Sequence, residues 1–251
     1  MSGATQPSHD AVRALAVTAH PDDVDYNAAG TVAKWVKSGV QVTYLLVTSG
    51  DAGGSGEIPA AQIPAVRRRE QCEAAGTLGV HDVRFLDGYR DGHVQVGDEL
   101  VRDITRVIRD VRPHRVMALS PERDWTHVHQ GHPDHLAVGE ATARAVYPAA
   151  RTALMFPELL EQENLAPWTV EELWVQAHPR ANHAEDVTDE FDLKVRAILA
   201  HASQFPDTEA VPGLLRDRLS RDAQAMGLPK DRLAERFLTL AVHGRPPTVQ
   251  R

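Results

Sequence analysis

Cysteine is almost absent from this sequence, since Cys72 is the single thiol among 251 residues. One cysteine excludes an internal disulfide framework, a Cys-rich zinc knuckle and a Cys-ligated iron–sulfur cluster. Any bound metal must therefore take imidazole and carboxylate ligands, which are typical of catalytic rather than structural sites. The scarcity of cysteine also predicts a cytoplasmic protein.

Long hydrophobic runs and a surplus of positive charge are missing as well. No apolar run approaches the roughly 18 residues of a membrane span, and the polar N-terminus does not read as a signal peptide. Acidic residues outnumber basic residues by 35 to 27, which makes the formal net charge −8. A chain without a basic surplus is not expected to bind nucleic acid, so a small-molecule partner is predicted instead.

Histidine is the residue type that the sequence has in excess, with 13 copies. Four of them, His127, His129, His132 and His135, lie within nine consecutive positions. Imidazole is a common ligand of catalytic zinc and a common acid–base group. The excess of histidine therefore favours a site for metal binding or proton transfer.

Short apolar segments alternate with amphipathic segments along the first 147 residues. This alternation predicts an α/β protein with a Rossmann-like, doubly wound, mostly parallel sheet and helices on both faces. We expect a disordered lead-in over 1–10, a single α/β domain over 11–244 and a tail over 245–251. The predicted strands are Leu15–Thr18, Val40–Thr48, Val83–Leu86, Val116–Leu119 and Leu173–Ala177, and the clearest predicted helices are Ala65–Leu78, Leu100–Val111, His135–Tyr147, Phe191–His201 and Leu214–Met226.

Two similar segments follow the first and the fourth predicted strand. They are His20-Pro21-Asp22-Asp23 and His132-Pro133-Asp134-His135. In the common strand order 3-2-1-4, strands one and four are neighbours where the order reverses, and ligands bind in the crevice at that point. An isolated His-Pro-Asp is often a simple turn. Two copies at the carboxyl ends of strands favour a shared site.

Two imidazoles and one carboxylate make a three-ligand zinc site with an open position for water. The set His20, Asp23 and His135 would suffice. Asp22 would stay close to the metal-bound water as a general base. His132 could lie over a developing oxyanion or protonate a leaving amine.

The same residues carry a resemblance to a known family. Ala19–Asp23, followed by Ala28–Thr31, resembles the first motif of the PIG-L-type (LmbE-like) zinc-dependent N-acetylglucosaminyl deacetylases. Ser120–Arg123 through His132–Gly139 resembles the later motif of that family. The resemblance covers at least residues 14–146, and the stretch Thr188–Gln204 resembles actinobacterial members.

The resemblance implies a zinc-dependent hydrolase that removes an acetyl group from an N-acetylated sugar, with metal-bound water attacking the amide carbonyl. Asp22 matches the general base, and His132 matches the histidine that steadies the oxyanion. Arg67 and Asp91 resemble residues that hold sugar hydroxyls in the mycothiol-pathway deacetylase. Asp134 could orient a ligating imidazole. The implied zinc ligands are His20, Asp23 and His135.

The chain also departs from the family pattern. Val24 stands where an acidic residue often follows the double Asp, and Asp25 comes one step later. Gln130 replaces the tyrosine that the mycothiol enzyme has two residues before His132. The substrate, the choice between Zn²⁺ and Fe²⁺, and a homo-oligomeric state therefore stay open. The roles of His127, His129 and His183 stay open too.

Other functions compete with deacetylation. The alternatives are an amidase acting on a thiol-sugar conjugate or a natural-product amide, and a non-catalytic relative that binds sugar or metal. A metallo-β-lactamase-type hydrolase is disfavoured because Gln130 and Gly131 interrupt the required H-x-H-x-D-H spacing. A dinucleotide-dependent oxidoreductase is disfavoured because the glycines of Gly50–Gly56 lack the G-x-G-x-x-G spacing.

Overall fold

A computed structural model of the chain describes residues 12–54, 56–125, 128 and 131–242. Strands and helices alternate along most of this length. The strands are β1 (Arg13–Thr18), β2 (Gln41–Leu46), β3 (Asp82–Phe85), β4 (Arg115–Leu119), β5 (Glu172–Gln176), β6 (His183–Asp186) and β7 (Ala234–Ala241). The helices are α1 (Asp23–Lys37), α2 (Ile63–Thr77), α3 (Asp98–Val111), α4 (Pro133–Val146), α5 (Pro157–Glu161), α6 (Phe191–Leu199) and α7 (Val211–Ala225).

The seven strands form one sheet in the order β3-β2-β1-β4-β5-β7-β6. The first five strands are parallel where they pair, whereas β7 runs antiparallel to both β5 and β6. The predicted order 3-2-1-4 is therefore confirmed, as is a mostly parallel α/β sheet. The strand order reverses between β1 and β4, so the carboxyl ends of these two strands open the crevice.

Both faces of the central strands are covered, which explains their apolar character. On β1, Leu15 and Val17 face a core that includes α3 and α4, and Ala14 and Ala16 face a core that includes α1. All four residues are almost completely buried. Because no face of β1 meets water, its sequence is a continuous apolar run rather than an alternating pattern.

Helix α4 lies unusually close to the end of β4. A Cβ atom placed on Gly139 would lie 2.5 Å from the carbonyl oxygen of Leu119. Real side chains do not tolerate such a contact, so glycine is needed where the helix crosses the strand end. This close packing fixes the position of the first turn of α4, which begins at Pro133, relative to the end of β4.

The C-terminal third completes the same sheet, and it contains two strands that the sequence did not predict. β6 is short and polar, and β7 carries the charged residues Glu235 and Arg236. Neither has the apolar run that identifies a buried parallel strand. The predicted lead-in and tail fall on residues outside the described ranges. None of the helices within those ranges is both long enough and apolar enough to span a lipid bilayer.

Candidate active site

The loop after β1 is shaped by the carboxylate of Asp23, the first residue of α1. Its Oδ2 accepts hydrogen bonds from the backbone N–H groups of Ala19, at 3.1 Å, and His20, at 2.9 Å. A carboxylate in the first turn also meets the positive end of the helix dipole. The loop is thereby closed on itself, and the other carboxylate oxygen of Asp23 is directed toward α4.

Three possible metal ligands converge at this point. Asp23 Oδ1 lies 3.0 Å from His135 Nε2. His20 Nδ1 lies 3.2 Å from the same His135 nitrogen and 3.6 Å from Asp23 Oδ2. His20 and His135 are 115 residues apart in sequence. The two motif segments therefore face each other, as the strand order predicts.

The donor set and its spacing fit a zinc ion. Two imidazole nitrogens and one carboxylate oxygen are a usual ligand set for catalytic zinc. Tetrahedral ligands about 2.0–2.1 Å from an ion lie roughly 3.3 Å from one another. The separations of His135 Nε2 from Asp23 Oδ1, at 3.0 Å, and from His20 Nδ1, at 3.2 Å, match this spacing.

The second ring nitrogen of His20 points away from this cluster, toward two carboxylates. His20 Nε2 lies 3.0 Å from Asp91 Oδ1 and 3.2 Å from Asp134 Oδ2. Asp134 also accepts the backbone N–H groups of Gly92, at 2.7 Å, and Val94, at 3.1 Å. Metal-binding histidines usually donate their other N–H to such a carboxylate, which fixes the ring. Asp134 and Asp91 both contact this nitrogen, and the orienting role of Asp134 stays a prediction.

His20, Asp91 and Asp134 themselves form a compact group, with one ligand atom of each within 4.8 Å of the others. This group fits the orientation of His20 better than it fits a second metal site. Both oxygens of Asp134 already accept backbone N–H groups. Asp91 Oδ2 likewise accepts the backbone N–H of Ala52 at 3.2 Å.

The carboxylates of the cluster stabilise positive charge on the imidazoles beside them. Burial opposes charge on His20, but hydrogen bonds to Asp134, Asp23 and Asp91 outweigh it and raise the pKa of His20 to about 12. Burial acts to raise the pKa of Asp23, yet His135 and His20 hold that pKa well below its ordinary value. Carboxylate and imidazole therefore favour opposite charges at this point of the structure.

His132 occupies the N-cap position of α4, beside His20 and His135. Its ring centroid lies 4.8 Å from that of His20 and 5.4 Å from that of His135. Burial and the two neighbouring imidazoles lower the pKa of His132, so the neutral ring is favoured. Its Nδ1 accepts the backbone N–H of Asp134 at 3.2 Å. The neutral ring therefore carries its proton on Nε2.

Asp22 lies in the turn between His20 and Asp23. Its backbone adopts the left-handed conformation, with φ of 90° and ψ of −26°. Burial and the neighbouring charge of Asp23 raise the pKa of Asp22 to about 6, although Arg67 acts in the opposite direction. A carboxylate with such a pKa is suited to take a proton near neutral pH.

Arg67 extends from α2 into the base of the site. Its guanidinium donates to the carbonyl oxygens of Gly50, at 2.9 Å, and Pro21, at 2.8 Å. It also donates to Asp22 Oδ2 at 3.0 Å. These contacts hold the Asp22 turn and the glycine-rich loop together. A contact between Arg67 or Asp91 and a sugar hydroxyl stays a prediction.

Two open spaces adjoin these residues. One open space, of about 310 Å³ including the solvent at its mouth, lies beside His135, and a smaller one of about 200 Å³ lies beside Arg67. The larger space is bounded in part by His135 itself. Its lining also includes Leu119, Ser120, Glu122, Asp124, Gly131, Leu136 and Ala177.

The remaining histidine predictions fall in different places. His183 lies on β6, where its ring contacts Trp174 and its Nε2 lies 3.1 Å from Glu185. His127, His129 and Gln130 fall outside the described residues. His201 was not singled out from the sequence, yet it is completely buried and its Nε2 lies 2.9 Å from Asp25 Oδ2. The displaced acidic residue Asp25 was the available signal, because a buried carboxylate needs a partner.

The chain is similar to a known protein family and to several deacetylases. The family described as GlcNAc-PI de-N-acetylase (PIG-L) matches residues 15–146. A diacetylchitobiose deacetylase of Thermococcus kodakarensis is 31% identical over 203 residues, covering 80% of this chain and 73% of its own length. A 1D-myo-inositol 2-acetamido-2-deoxy-alpha-D-glucopyranoside deacetylase of Rhodococcus erythropolis is 31% identical over 245 residues, covering 77% of this chain and 81% of its own.

A solved structure resembles the whole chain. It is an N,N'-diacetylchitobiose deacetylase from Pyrococcus horikoshii in complex with an inhibitor, and it superimposes with a TM-score of 0.83. The alignment covers 96% of this chain and 88% of that chain at 28% identity. The similarity therefore includes the C-terminal strands as well as the two motif segments.

Proposed function

Because the chain belongs to the GlcNAc-PI de-N-acetylase (PIG-L) family and is a hydrolytic N-deacetylase, we propose that it removes the acetyl group from a small N-acetylglucosamine-derived sugar with the help of Zn²⁺. One observation carries the proposal. The donor atoms of His20, Asp23 and His135 converge at metal-ligand spacing, directly beside an Asp22 whose pKa is raised to about 6.

His20, Asp23 and His135 are the residues that would hold the ion. A zinc ion supplies a Lewis acid that polarises an amide carbonyl and lowers the pKa of water toward about 7. Asp134 and Asp91 hold the far nitrogen of His20 and so keep its Nδ1 directed at the other two ligands.

Asp22 accepts the proton of the water molecule as that water attacks the amide carbonyl carbon. Arg67 limits the motion of the Asp22 carboxylate during this step. The neutral His132 donates its Nε2–H to the negative oxygen of the tetrahedral intermediate. Asp22 then returns the proton to the nitrogen as the C–N bond breaks, and the products are acetate and a free amine.

The substrate class is supported by what the relatives share. The proteins of Thermococcus kodakarensis and Rhodococcus erythropolis are named for different substrates, diacetylchitobiose and an inositol glycoside. Both substrates contain a 2-acetamido-2-deoxyglucose unit. We infer that the reacting part is this acetamido sugar, whereas the group attached to it distinguishes one relative from another.

The test is acetate release from a panel of acetamido sugars. The protein is stripped with a chelator and dialysed, and one portion is reloaded with Zn²⁺ and another with Fe²⁺. The panel contains N-acetylglucosamine, N,N'-diacetylchitobiose and an inositol-linked N-acetylglucosamine. Release of acetate and amine in equal amounts by the reloaded protein, and not by the stripped protein, supports the proposal.

Two outcomes would contradict it. Zinc binding without turnover of any acetamido sugar would favour a sugar- or metal-binding relative without catalysis. Equal turnover by stripped and reloaded protein would remove the metal from the mechanism. Asp22→Asn serves as the matched control, because it keeps the three ligand side chains and removes the base.

A further inference from the structure

Asp22 has an unusual backbone conformation. A left-handed conformation is uncommon for a residue other than glycine and persists only where its surroundings hold it. Asp22 has this conformation, with φ of 90°, in the middle of the site. The direction of its carboxylate depends on it, because rotation of the backbone would move the side chain away from the ligand cluster.

Gln71 supplies the contact that holds this backbone. Its Oε1 accepts the N–H of Asp22 at 2.9 Å. Gln71 belongs to α2, one helical turn after Arg67, and its side chain is completely buried. The two residues therefore hold Asp22 from the same helix face. Gln71 binds the backbone of Asp22, and Arg67 binds its carboxylate.

The amide of Gln71 is itself held in one orientation. Its Nε2 donates to Asp25 Oδ2 at 2.7 Å. A carboxylate only accepts hydrogen bonds, so the amino group of Gln71 must face Asp25 and the carbonyl oxygen must face Asp22. Asp25 thereby fixes the orientation of the Gln71 amide.

Asp25 is in turn held by a residue from the far end of the chain. Its Oδ2 lies 2.9 Å from Nε2 of His201, which follows α6 and lies 176 positions away in sequence. Gln71, Asp25 and His201 all have side chains without solvent exposure. These hydrogen bonds form a buried series that ends on the backbone N–H of Asp22. We call this series the Gln71–Asp25–His201 relay.

We propose that Gln71 is a positioning residue for deacetylation, which holds Asp22 in its left-handed conformation while Asp25 and His201 fix the direction of the Gln71 amide. The predicted effect of Gln71 on deacetylation rests on the proposed function, whereas its contact with the Asp22 backbone does not. A displacement of about 1 Å at a catalytic group can reduce turnover by about 100-fold. Loss of the Gln71 acceptor therefore affects kcat, although Gln71 touches neither metal nor substrate.

Two variants separate positioning from general support of the fold. Gln71→Met keeps the length of the side chain and removes the acceptor. Gln71→Glu keeps an acceptor oxygen for Asp22, and the introduced carboxyl group faces Asp25 in its protonated form, because two buried carboxylates at the 2.7 Å separation would repel each other. The matched control is Glu70→Met on the same helix, because Glu70 is also buried and accepts two hydrogen bonds from Ser203, at 2.9 and 2.6 Å.

The first measurement is kinetic, on zinc-loaded protein with the best sugar of the panel. We expect Gln71→Met to lower kcat by about 100-fold, with KM and zinc content near the wild-type values. Gln71→Glu should recover kcat to within about tenfold of the wild type. Glu70→Met should lower the thermal midpoint as Gln71→Met does, with kcat within about twofold of the wild type.

The second measurement does not need activity. Hydrogen–deuterium exchange of a peptide covering residues 19–25 reports the Asp22 amide, which Gln71 protects. Protection should fall in Gln71→Met and persist in Gln71→Glu and Glu70→Met. If Gln71→Met does not fold, Gln71→Asn replaces it, since the shorter side chain withdraws the same acceptor from Asp22.

The outcomes are distinct. Wild-type kcat in Gln71→Met, or an equal loss of kcat in Gln71→Met and Glu70→Met, would overturn the positioning role. Unchanged exchange at residues 19–25 would overturn the hold on Asp22. If the wild type deacetylates no sugar, the proposed function fails, and the exchange measurement still decides whether Gln71 holds Asp22.

Discussion

Adjacent carboxylates at positions 22 and 23 should respond in opposite ways to the same substitution. In Asp22→Asn, the side chain keeps its shape and its amide oxygen can still accept from Arg67, which donates to Asp22 at 3.0 Å. The ligand atoms of His20, Asp23 and His135 are untouched. We expect this variant to keep its zinc and lose its turnover, because an amide cannot take a proton from water.

Asp23→Asn should instead lose zinc. One oxygen of Asp23 accepts the backbone N–H groups of Ala19 and His20, and the other lies 3.0 Å from His135. An asparagine has a single oxygen and cannot serve both sides. Its amino group must face either the two backbone donors or the metal, so the loop or the ligand is lost.

The expected effect of Asp22→Asn is a loss of rate, whereas that of Asp23→Asn is a loss of zinc affinity. Removal of a general base costs about 10²–10⁴ in rate, which is roughly 3–5 kcal/mol of transition-state stabilisation at about 1.4 kcal/mol per factor of ten. For Asp23→Asn, zinc affinity should fall by more than the roughly 10–100-fold that loss of an orienting partner causes.

Both variants are dialysed against a weak chelator, analysed for zinc and assayed for acetate release. The expected pattern is one zinc per chain and little turnover in Asp22→Asn, with little zinc in Asp23→Asn. Turnover near the wild-type rate in Asp22→Asn would refute its role as the base. Full zinc occupancy in Asp23→Asn would refute the ligand assignment.

Three further predictions concern the pH dependence of turnover, the orientation of the His20 imidazole and the stability of the fold. Asp22 must be ionised to accept a proton, and its pKa is raised to about 6, so kcat/KM should fall as the pH drops through about 6. The midpoint should lie somewhat lower when the metal is bound, because the charge of the metal stabilises the ionised form. A flat pH–rate profile between pH 4.5 and 7 would contradict this prediction. Asp134→Ala removes one of the two carboxylates at the far nitrogen of His20 and leaves Asp91 in contact with it. The variant should weaken zinc binding by about tenfold in a competition titration, so unchanged affinity would argue against an orienting role. Lys194→Met leaves Glu235 as a buried unpaired charge, since their 2.8 Å ion pair has no solvent exposure. It should destabilise the fold by about 3–5 kcal/mol and lower the thermal midpoint by roughly 6–20 °C, whereas Lys194→Met/Glu235→Gln should recover part of the loss.

Much of the sheet could be predicted because its signals are local. Parallel strands buried on both faces, such as β1 with Leu15 and Val17, must be continuous apolar runs. The helices between them show a periodic apolar face. β6 and β7 gave no such signal, because polar residues and the buried Glu235 interrupt their pattern. Glu235 is tolerated there because Gly30, Thr31 and Lys194 satisfy its carboxylate.

The site could be predicted only in part. The sequence indicated which segments meet, since motifs at the ends of β1 and β4 must share one crevice in this strand order. It did not indicate Asp91 as a partner of His20, because the resemblance assigned Asp91 to a sugar hydroxyl instead. It also did not indicate the Gln71–Asp25–His201 relay, whose members come from three separate helical regions without a common period.

The residue types at the candidate site and the order of the parallel strands could be read from local patterns in the sequence. With one cysteine, any metal ligands had to be imidazoles and carboxylates, and the repeated His-Pro-Asp segments lie after two strand ends. The contacts of each atom follow from the packing of the folded chain. Whether Asp22 or Asp23 faces His135, and which nitrogen of His20 meets a carboxylate, depends on separations of about 3 Å. Such distances are set by the packing of helices onto the sheet across more than a hundred residues of chain, and no local pattern encodes them.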